Sequence, residues 1–179
     1  IMQNRLKRRG SVIMGFDAVP RLHGCDTFIL YDTDIFTESC ISVADIQFRQ
    51  KQDAGFAIEY MASALRAAKV PSAQAFERIL DFPLSQLPKT ENIKFIQNNG
   101  ISCRIGRDSV LIGNRSLMLA CNIEPLPVPK EASIRSMGLE PLYLGVNGEL
   151  STVVMLRYKA NPRLNNIISR MDQRFNLVV

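Results

Sequence analysis

The sequence TFILYDTD, residues 27–34, joins a continuous apolar run to two carboxylates at its end. An apolar run of this length predicts a strand buried on both faces, as in the parallel sheet of an α/β fold. Ligands of open α/β sheets bind at the carboxyl ends of strands. There Asp32 can attack a phosphoryl group, and Asp34 can act as acid or base or help to hold Mg²⁺. Asp-x-Asp is also a common turn, and these residues taken alone slightly favour a turn.

Composition describes an ordinary globular chain. The 179 residues are 46% hydrophobic and 22% charged, which excludes a disordered or collagen-like chain. Lysine and arginine exceed aspartate and glutamate by 22 to 17, so the formal net charge is +5. This modest, dispersed excess suits an anionic ligand or surface better than a dedicated nucleic-acid interface. We expect no secretory signal and no transmembrane run, because no apolar stretch approaches the roughly 18–20 residues that a bilayer requires.

The cysteines and the single histidine are too few and too scattered to suggest a structural zinc site or a histidine-dependent nucleophile. The four cysteines are far apart, without a CxxC pair, and His23 is the single histidine. A structural zinc site needs clustered thiolate or imidazole ligands, so none is expected. Histidine-dependent nucleophilic catalysis would have to use His23, and no GxSxG motif supports it. We predict buried free thiols, typical of a reducing compartment.

Two changes of pattern divide the chain. Near residues 50–53 the pattern becomes helical, and three alternating prolines at 125–129 predict an extended linker. Residues 54–69 and a second segment from Pro71 have helical periodicity, and three short strands follow, separated by turns at 98–100 and 106–108. Asn114 is then predicted as the N-cap of a short helix through Cys121. The closing segment predicts a helix at 131–137, a hairpin through Asn147-Gly148, a helix at 162–171 and a last strand. The block between these two changes of pattern is therefore predicted to be an α+β unit, inserted between two pieces of one α/β sheet.

Several stretches, in the same order and spacing, resemble P-type ATPases. Residues 5–32 resemble the passage from a basic stalk into the strand "VDTVVFDKTGTLT", which carries the phosphorylated aspartate. Residues 98–105 and 109–118 resemble the nucleotide-binding stretches "GxGV.g.I" and "v.vGN..lm", and residues 138–156 resemble the return into the phosphorylation domain. The short middle block is most similar to the heavy-metal-transporting subtype, or else to the potassium type.

The resemblance implies an α/β fold with an insertion. A partial haloacid-dehalogenase-like (Rossmann-like) phosphorylation domain would comprise residues 1–49 and 127–179. An α+β nucleotide-binding domain, an antiparallel sheet with helices, would comprise residues 50–126. In the family, ATP bound in the inserted domain phosphorylates an aspartate with the help of Mg²⁺. Carried over to this sequence, Asp32 would be the nucleophile, and Asp32 and Asp34 the Mg²⁺ ligands. The ATP site would include Val70, Gly100, Ile101 and Gly113.

The resemblance also implies partners and a location. The full-length protein would contain transmembrane and actuator domains, would move an ion across a membrane, and would present these residues at the cytoplasmic face. The sequence departs from the family at several positions. DKTGT is replaced by residues 32–36, Val70 stands in place of the histidine that meets adenine, and Asn98 in place of the first glycine. The TGD and GDGxND segments are not in this chain.

These departures leave two alternatives open. One is a catalytically degenerate ATPase-like module that binds or regulates without turnover. The other, which fits the sequence least well, is a phosphatase of the haloacid-dehalogenase type, with Asp32 as nucleophile and Asp34 as general acid.

Overall fold

The computed structural model describes residues 18–30, 38–49, 54–161, 164, 166, 168–169 and 176–178. Along the chain its elements are α1 (Ala18–His23), β1 (Thr27–Ile29), a 3-10 helix (Glu38–Cys40), β2 (Ile41–Phe48), α2 (Ala54–Ala67), α3 (Ala73–Glu77), a second 3-10 helix (Leu84–Gln86), β3 (Thr90–Ile96), β4 (Gly100–Ile105), β5 (Asp108–Gly113), α4 (Arg115–Ala120), α5 (Val128–Ser136), β6 (Glu140–Val146), β7 (Glu149–Tyr158) and β8 (Asn176–Val178). In this part of the chain, no helix combines the length and apolar character needed to cross a membrane.

The chain divides into a small unit, residues 1–35 with 162–179, and a large unit, residues 36–161. In the small unit β1 pairs in parallel with β8, in the register Thr27 to Asn176. The predicted parallel pairing is thus present. The predicted burial on both faces is wrong, because Phe28 is 41% exposed and Ile29 65% exposed. The carboxylates Asp32 and Asp34 lie outside the described residues, as does most of the helix predicted at 162–171.

The large unit is built on a six-stranded sheet in the order β2-β7-β6-β5-β4-β3, with every neighbouring pair antiparallel. The predicted domain boundaries near 50 and 127 therefore differ from the observed limits at 36 and 161. The physical reason is pairing: β2 precedes the predicted block and β6 and β7 follow it, yet all three complete its sheet. A strand left out would expose both apolar side chains and unpaired backbone groups.

Helices cover both faces of this sheet. On one face α2 and α3 contribute Met61 and Phe76, each without exposed surface, to a core that includes Val154 from β7. On the other face α4 and α5 pack with the neighbouring residue Val153. Because successive side chains of a strand point to opposite faces, β7 supplies both cores, and seven of its residues are buried in succession.

Local signals at helix ends are largely confirmed. Asn114 precedes α4, and its Oδ1 accepts a hydrogen bond from the Leu117 backbone N–H at 3.0 Å, as predicted for an N-cap. Helix α5 begins at Val128, three residues before the predicted start. The predicted proline linker is shorter for this reason, since Pro129 stands in the first turn, where a proline removes no helical hydrogen bond.

The described structure contains four free cysteines, of which Cys40 and Cys103 are buried as predicted. Cys25 and Cys121 are exposed, so the expectation that all four are core residues is wrong for these two. In β4, burial raises the pKa of the Cys103 thiol from 9.0 to about 11.

This shift predicts a loss of stability in alkali. Between pH 9 and 11 the unfolded thiol has lost a proton that folded Cys103 retains, so the free energy of unfolding falls as pH rises, by at most about 1.4 kcal/mol per pH unit from this group. Denaturant unfolding at several pH values should show a shallower decline in Cys103→Ala than in the unmodified chain. The matched variant Cys121→Ala should keep the original slope; equal slopes in all three proteins would contradict the assignment.

Candidate functional site

A pocket of about 250 Å³ opens at one end of the sheet in the large unit. It lies where β4 and β6 begin and β5 and β7 end, next to the C-terminal end of α2. Its lining residues come from five separate segments: Leu65, Val70, Ser72, Asn98, Asn99, Gly100, Ile101, Ile112, Gly113, Asn114, Glu140, Pro141, Leu142, Leu156 and Tyr158.

Four of the residues predicted from the sequence meet in this pocket. Val70 follows α2, Gly100 and Ile101 open β4, and Gly113 closes β5. They come from three places along the chain, separated by up to 43 positions, and the fold brings them to one cavity. Their ligand roles stay predictions.

The two glycines allow a close approach of backbones. Gly100 is paired with Gly113 across β4 and β5. A Cβ built on Gly100 would overlap the carbonyl oxygen of Ile112, and one built on Gly113 would overlap the carbonyl oxygen of Asn99. Gly100 also has a φ of +143°, a backbone conformation that residues with a side chain rarely adopt. No other residue type fits either position without a shift of the strands.

In the turn before β4, Asn98 stands where the family motif has a glycine. Asn98 has a φ of 59°, in the left-handed region that asparagine tolerates better than most residues. Asn114 ties this turn to α4, because its Nδ2 donates to the Asn98 carbonyl oxygen at 3.0 Å and its backbone N–H donates to the Asn99 carbonyl oxygen at 2.9 Å. The turn thus keeps a glycine-like backbone although the sequence has lost one glycine.

The pocket suits a flat, uncharged ring with a polar edge. Its walls are mostly aliphatic, from side chains such as Leu65, Ile101 and Leu142, with Tyr158 as the aromatic group among the described lining residues. Amides and a hydroxyl supply the polar edge. No lysine or arginine occurs among the lining residues, so this cavity offers no counter-charge to a triphosphate.

The one charged side chain in the lining, Glu140, belongs to a network of ion pairs. Arg135 of α5 approaches Glu140 with its Nη2 2.9 Å from Oε1. The same Nη2 lies 2.9 Å from Oε1 of the buried Glu131, whose Oε2 accepts from Arg115 Nη1 at 2.8 Å. Burial, with the charge of Glu140 as a second cause, raises the pKa of Tyr158. The network joins α4 and α5 to the rim of the pocket.

Removing the carboxylate of Glu131 should destabilise the large unit. Its side chain is only 3% exposed, and Glu131→Ala would remove the carboxylate that Arg115 and Arg135 share, although both arginines are partly exposed and keep other partners. We expect a loss of about 2 kcal/mol in the free energy of unfolding, because a hydrogen bond to a charged group contributes roughly 1.5–3 kcal/mol. Chemical denaturation measures it. Glu77→Ala, which breaks the more exposed pair with Arg66, should cost less than about 1 kcal/mol; equal losses would argue against a special role for Glu131.

Sequence reasoning missed Glu140, Leu142 and Tyr158 as pocket residues, because it assigned their strands to another domain. Asn114 was predicted as a helix cap and lies in the 109–118 stretch that resembles a nucleotide-binding motif, but it was not named as a site residue. Asp32 and Asp34, predicted as nucleophile and Mg²⁺ ligands, lie outside the described residues, so the structure places neither. Among the residues that it does describe, no three histidine, cysteine, aspartate or glutamate side chains converge as metal ligands would.

The sequence is similar to that of a known transport ATPase. A copper-exporting P-type ATPase of Staphylococcus aureus (strain MRSA252) is 27% identical over 129 residues, which are 72% of this chain and 15% of that protein. No family model matches the chain. The chain therefore spans about one seventh of the length of the curated relative that it matches.

Solved structures share the fold. The catalytic domain of a CPx-ATPase matches 95% of this chain and 57% of its own length, with a TM-score of 0.61 and 14% identity. A zinc-transporting PIB-type ATPase matches 98% of this chain and 29% of its own length, with a TM-score of 0.54 and 19% identity. The N-domain of a copper-transporting P-type ATPase matches 66% of this chain and 99% of its own length, with a TM-score of 0.51 and 13% identity. The predicted fold class and the resemblance to heavy-metal P-type ATPases are confirmed.

Proposed function

We propose that residues 36–161 are the nucleotide-binding domain of a P-type ATPase of the heavy-metal subtype, and that the pocket at the end of the sheet receives the base of ATP. One observation carries this proposal. The residues that motif resemblance assigns to nucleotide binding, Val70, Gly100, Ile101 and Gly113, line a single cavity although they are distant in the chain.

The size and chemistry of the pocket indicate which part of ATP enters. At about 250 Å³ the pocket is slightly smaller than the roughly 300–1,000 Å³ that holds a drug-sized ligand, so it suits one ring system. Tyr158, 40% exposed, offers an aromatic face on which a base can stack. Because the described lining has no basic side chain, the phosphates extend out of the pocket. Lys69, which is exposed and directly precedes the lining residue Val70 in the chain, is the cation that would meet them by this proposal.

In the whole protein the phosphates would reach Asp32. By this proposal an oxygen of the Asp32 carboxylate would attack the γ-phosphorus of ATP, the bond to the bridging oxygen would break, and ADP would leave. Asp32 and Asp34 would hold Mg²⁺, whose charge would offset that of the transferring group. Formation and hydrolysis of the aspartyl phosphate would drive ion movement through transmembrane segments, with the actuator domain as a further partner, at the cytoplasmic face of the membrane.

Nucleotide titration tests the proposed pocket. ATP added to the isolated chain should give saturable heat in calorimetry, and Tyr158→Ala should weaken the affinity about tenfold, because stacking of a base on an aromatic ring contributes roughly 1–3 kcal/mol. Phe95→Ala is the matched control, since Phe95 is 66% exposed on β3 and is not among the lining residues. Absence of ATP binding, or equal losses in both variants, would contradict the proposal.

A second candidate is a module that binds nucleotide without turnover. Two observations favour it: the pocket presents aliphatic Val70 where the family has histidine, and the acidic motif lacks the family's lysine after Asp32. The absent lysine removes positive charge that would stabilise the transferring phosphoryl group. Both candidates share the pocket, and they differ in whether Asp32 becomes phosphorylated.

A further inference from the structure

Glu140 holds an unusual position for an acidic residue in a pocket meant for a polyphosphate. It is the first residue of β6, paired with Leu156 of β7, and its side chain is 49% exposed. It shares the lining with Tyr158 and with the aliphatic walls. A carboxylate at this point repels phosphate, but it can accept hydrogen bonds from the edge of a base.

Arg135 determines how many such bonds Glu140 can accept. Its Nε donates to Oε1 at 3.3 Å and to Oε2 at 3.2 Å, and its Nη2 donates to Oε1 at 2.9 Å. An ionised carboxylate has about four acceptor positions, two on each oxygen. Arg135 makes these three contacts with two N–H groups, because its single Nε–H is shared between both oxygens. Oε2 receives only this shared bond, so an acceptor position on Oε2 is available to a ligand.

The carboxylate is also held in a fixed orientation. The Nη2 of Arg135 that donates to Glu140 also lies 2.9 Å from Oε1 of the buried Glu131 carboxylate, so two carboxylates hold Arg135. A bidentate arginine held in this way restricts the rotation of Glu140, and a preorganised acceptor discriminates between ligands better than a freely rotating one. Tyr158 and Arg135 are the titratable groups that the structure places against Glu140.

We propose that Glu140 is a specificity-determining residue that accepts one hydrogen bond from the exocyclic amino group of an adenine base. This inference rests on the proposed function and adds the selection of the base. Adenine offers a single amino donor beside a ring nitrogen that only accepts, which matches one available acceptor position. Guanine and hypoxanthine have a carbonyl oxygen in place of that amino group and a proton on N1. A 6-oxopurine seated as adenine is would place this oxygen against the carboxylate, and its N1–H would reach Glu140 only after a shift of the base.

The test compares ATP with ITP, which has a carbonyl oxygen in place of the amino group and carries a proton on N1. We expect the unmodified chain to bind ATP about tenfold more tightly than ITP, since a hydrogen bond to a charged group is worth roughly 1.5–3 kcal/mol. In Glu140→Gln the ratio should fall to about twofold or less, because the amide can donate to the ITP carbonyl oxygen. Glu124→Gln, an equal change of charge at an exposed residue outside the pocket, should keep the tenfold ratio.

A third nucleotide makes the test independent of the variant's folding. Purine riboside triphosphate lacks the amino group and has no carbonyl oxygen there, so the unmodified chain should bind it more weakly than ATP. Equal affinities for ATP and ITP, or an unchanged ratio in folded Glu140→Gln, would overturn the role of Glu140 and leave the proposed nucleotide pocket standing. Failure to bind any of the three nucleotides would overturn both.

Discussion

Replacement of Gly100 by alanine is expected to lower the free energy of unfolding by about 3 kcal/mol or more, the sum of backbone strain and overpacking. The φ of +143° is unfavourable for any residue with a Cβ, and the added methyl group would overlap the backbone carbonyl of Ile112. A backbone atom cannot turn aside as a flexible side chain can, so β4 and β5 must separate. Chemical denaturation of the isolated chain measures the loss.

Gly148→Ala is the matched control for this substitution. Gly148 has a φ of +84° in the β6–β7 turn, and a Cβ built there meets nothing within 4 Å. The control therefore carries the conformational cost alone, roughly 1–2 kcal/mol. Equal losses in the two variants would show that the close approach of Gly100 to β5 does not matter for stability.

Conversion of Asp32 to asparagine is expected to abolish covalent phosphorylation of the full-length protein. An amide lacks the nucleophilic carboxylate oxygen that would attack the γ-phosphate. The unmodified protein, mixed with radiolabelled ATP and quenched in acid, should retain label that hydroxylamine removes, and Asp32→Asn should retain none. Asp26→Asn, an equal change at an exposed residue beside β1, should keep the label. An unlabelled wild-type protein that still binds ATP would favour the module without turnover.

Turns and helix caps in the large unit could be predicted because each is specified by a few residues that are neighbours in the sequence. The turn at 98–100, the cap at Asn114 and the Asn147-Gly148 hairpin each depend on residues close together in sequence, and the structure places turns or caps at all three. The domain limits could not be predicted in this way. Pairing of β2 with β7 joins residues more than 100 positions apart, and no local pattern in 41–48 specifies its partner.

In the candidate site, too, some residues could be predicted from local sequence and others could not. The glycines of the pocket could be predicted from sequence motifs, because the backbone at each position requires a residue without a Cβ and the sequence therefore shows glycine there. Glu140 and Tyr158 could not, because their place in the pocket follows from where β6 and β7 lie in the sheet. The ion pair between Arg135 and Glu140 joins residues only five positions apart, but its place beside the pocket also follows from the position of β6 in the sheet.

The pairing of the first and last strands of the large unit has an architectural consequence. Ile41 at the start of β2 lies opposite Tyr158 at the end of β7, and the Lys159 backbone N–H donates to the Cys40 carbonyl oxygen at 2.8 Å. The polypeptide thus enters and leaves the six-stranded sheet side by side. A unit with adjoining ends can be transplanted into a surface loop of another protein, or circularised by a short linker, without stretching either terminus.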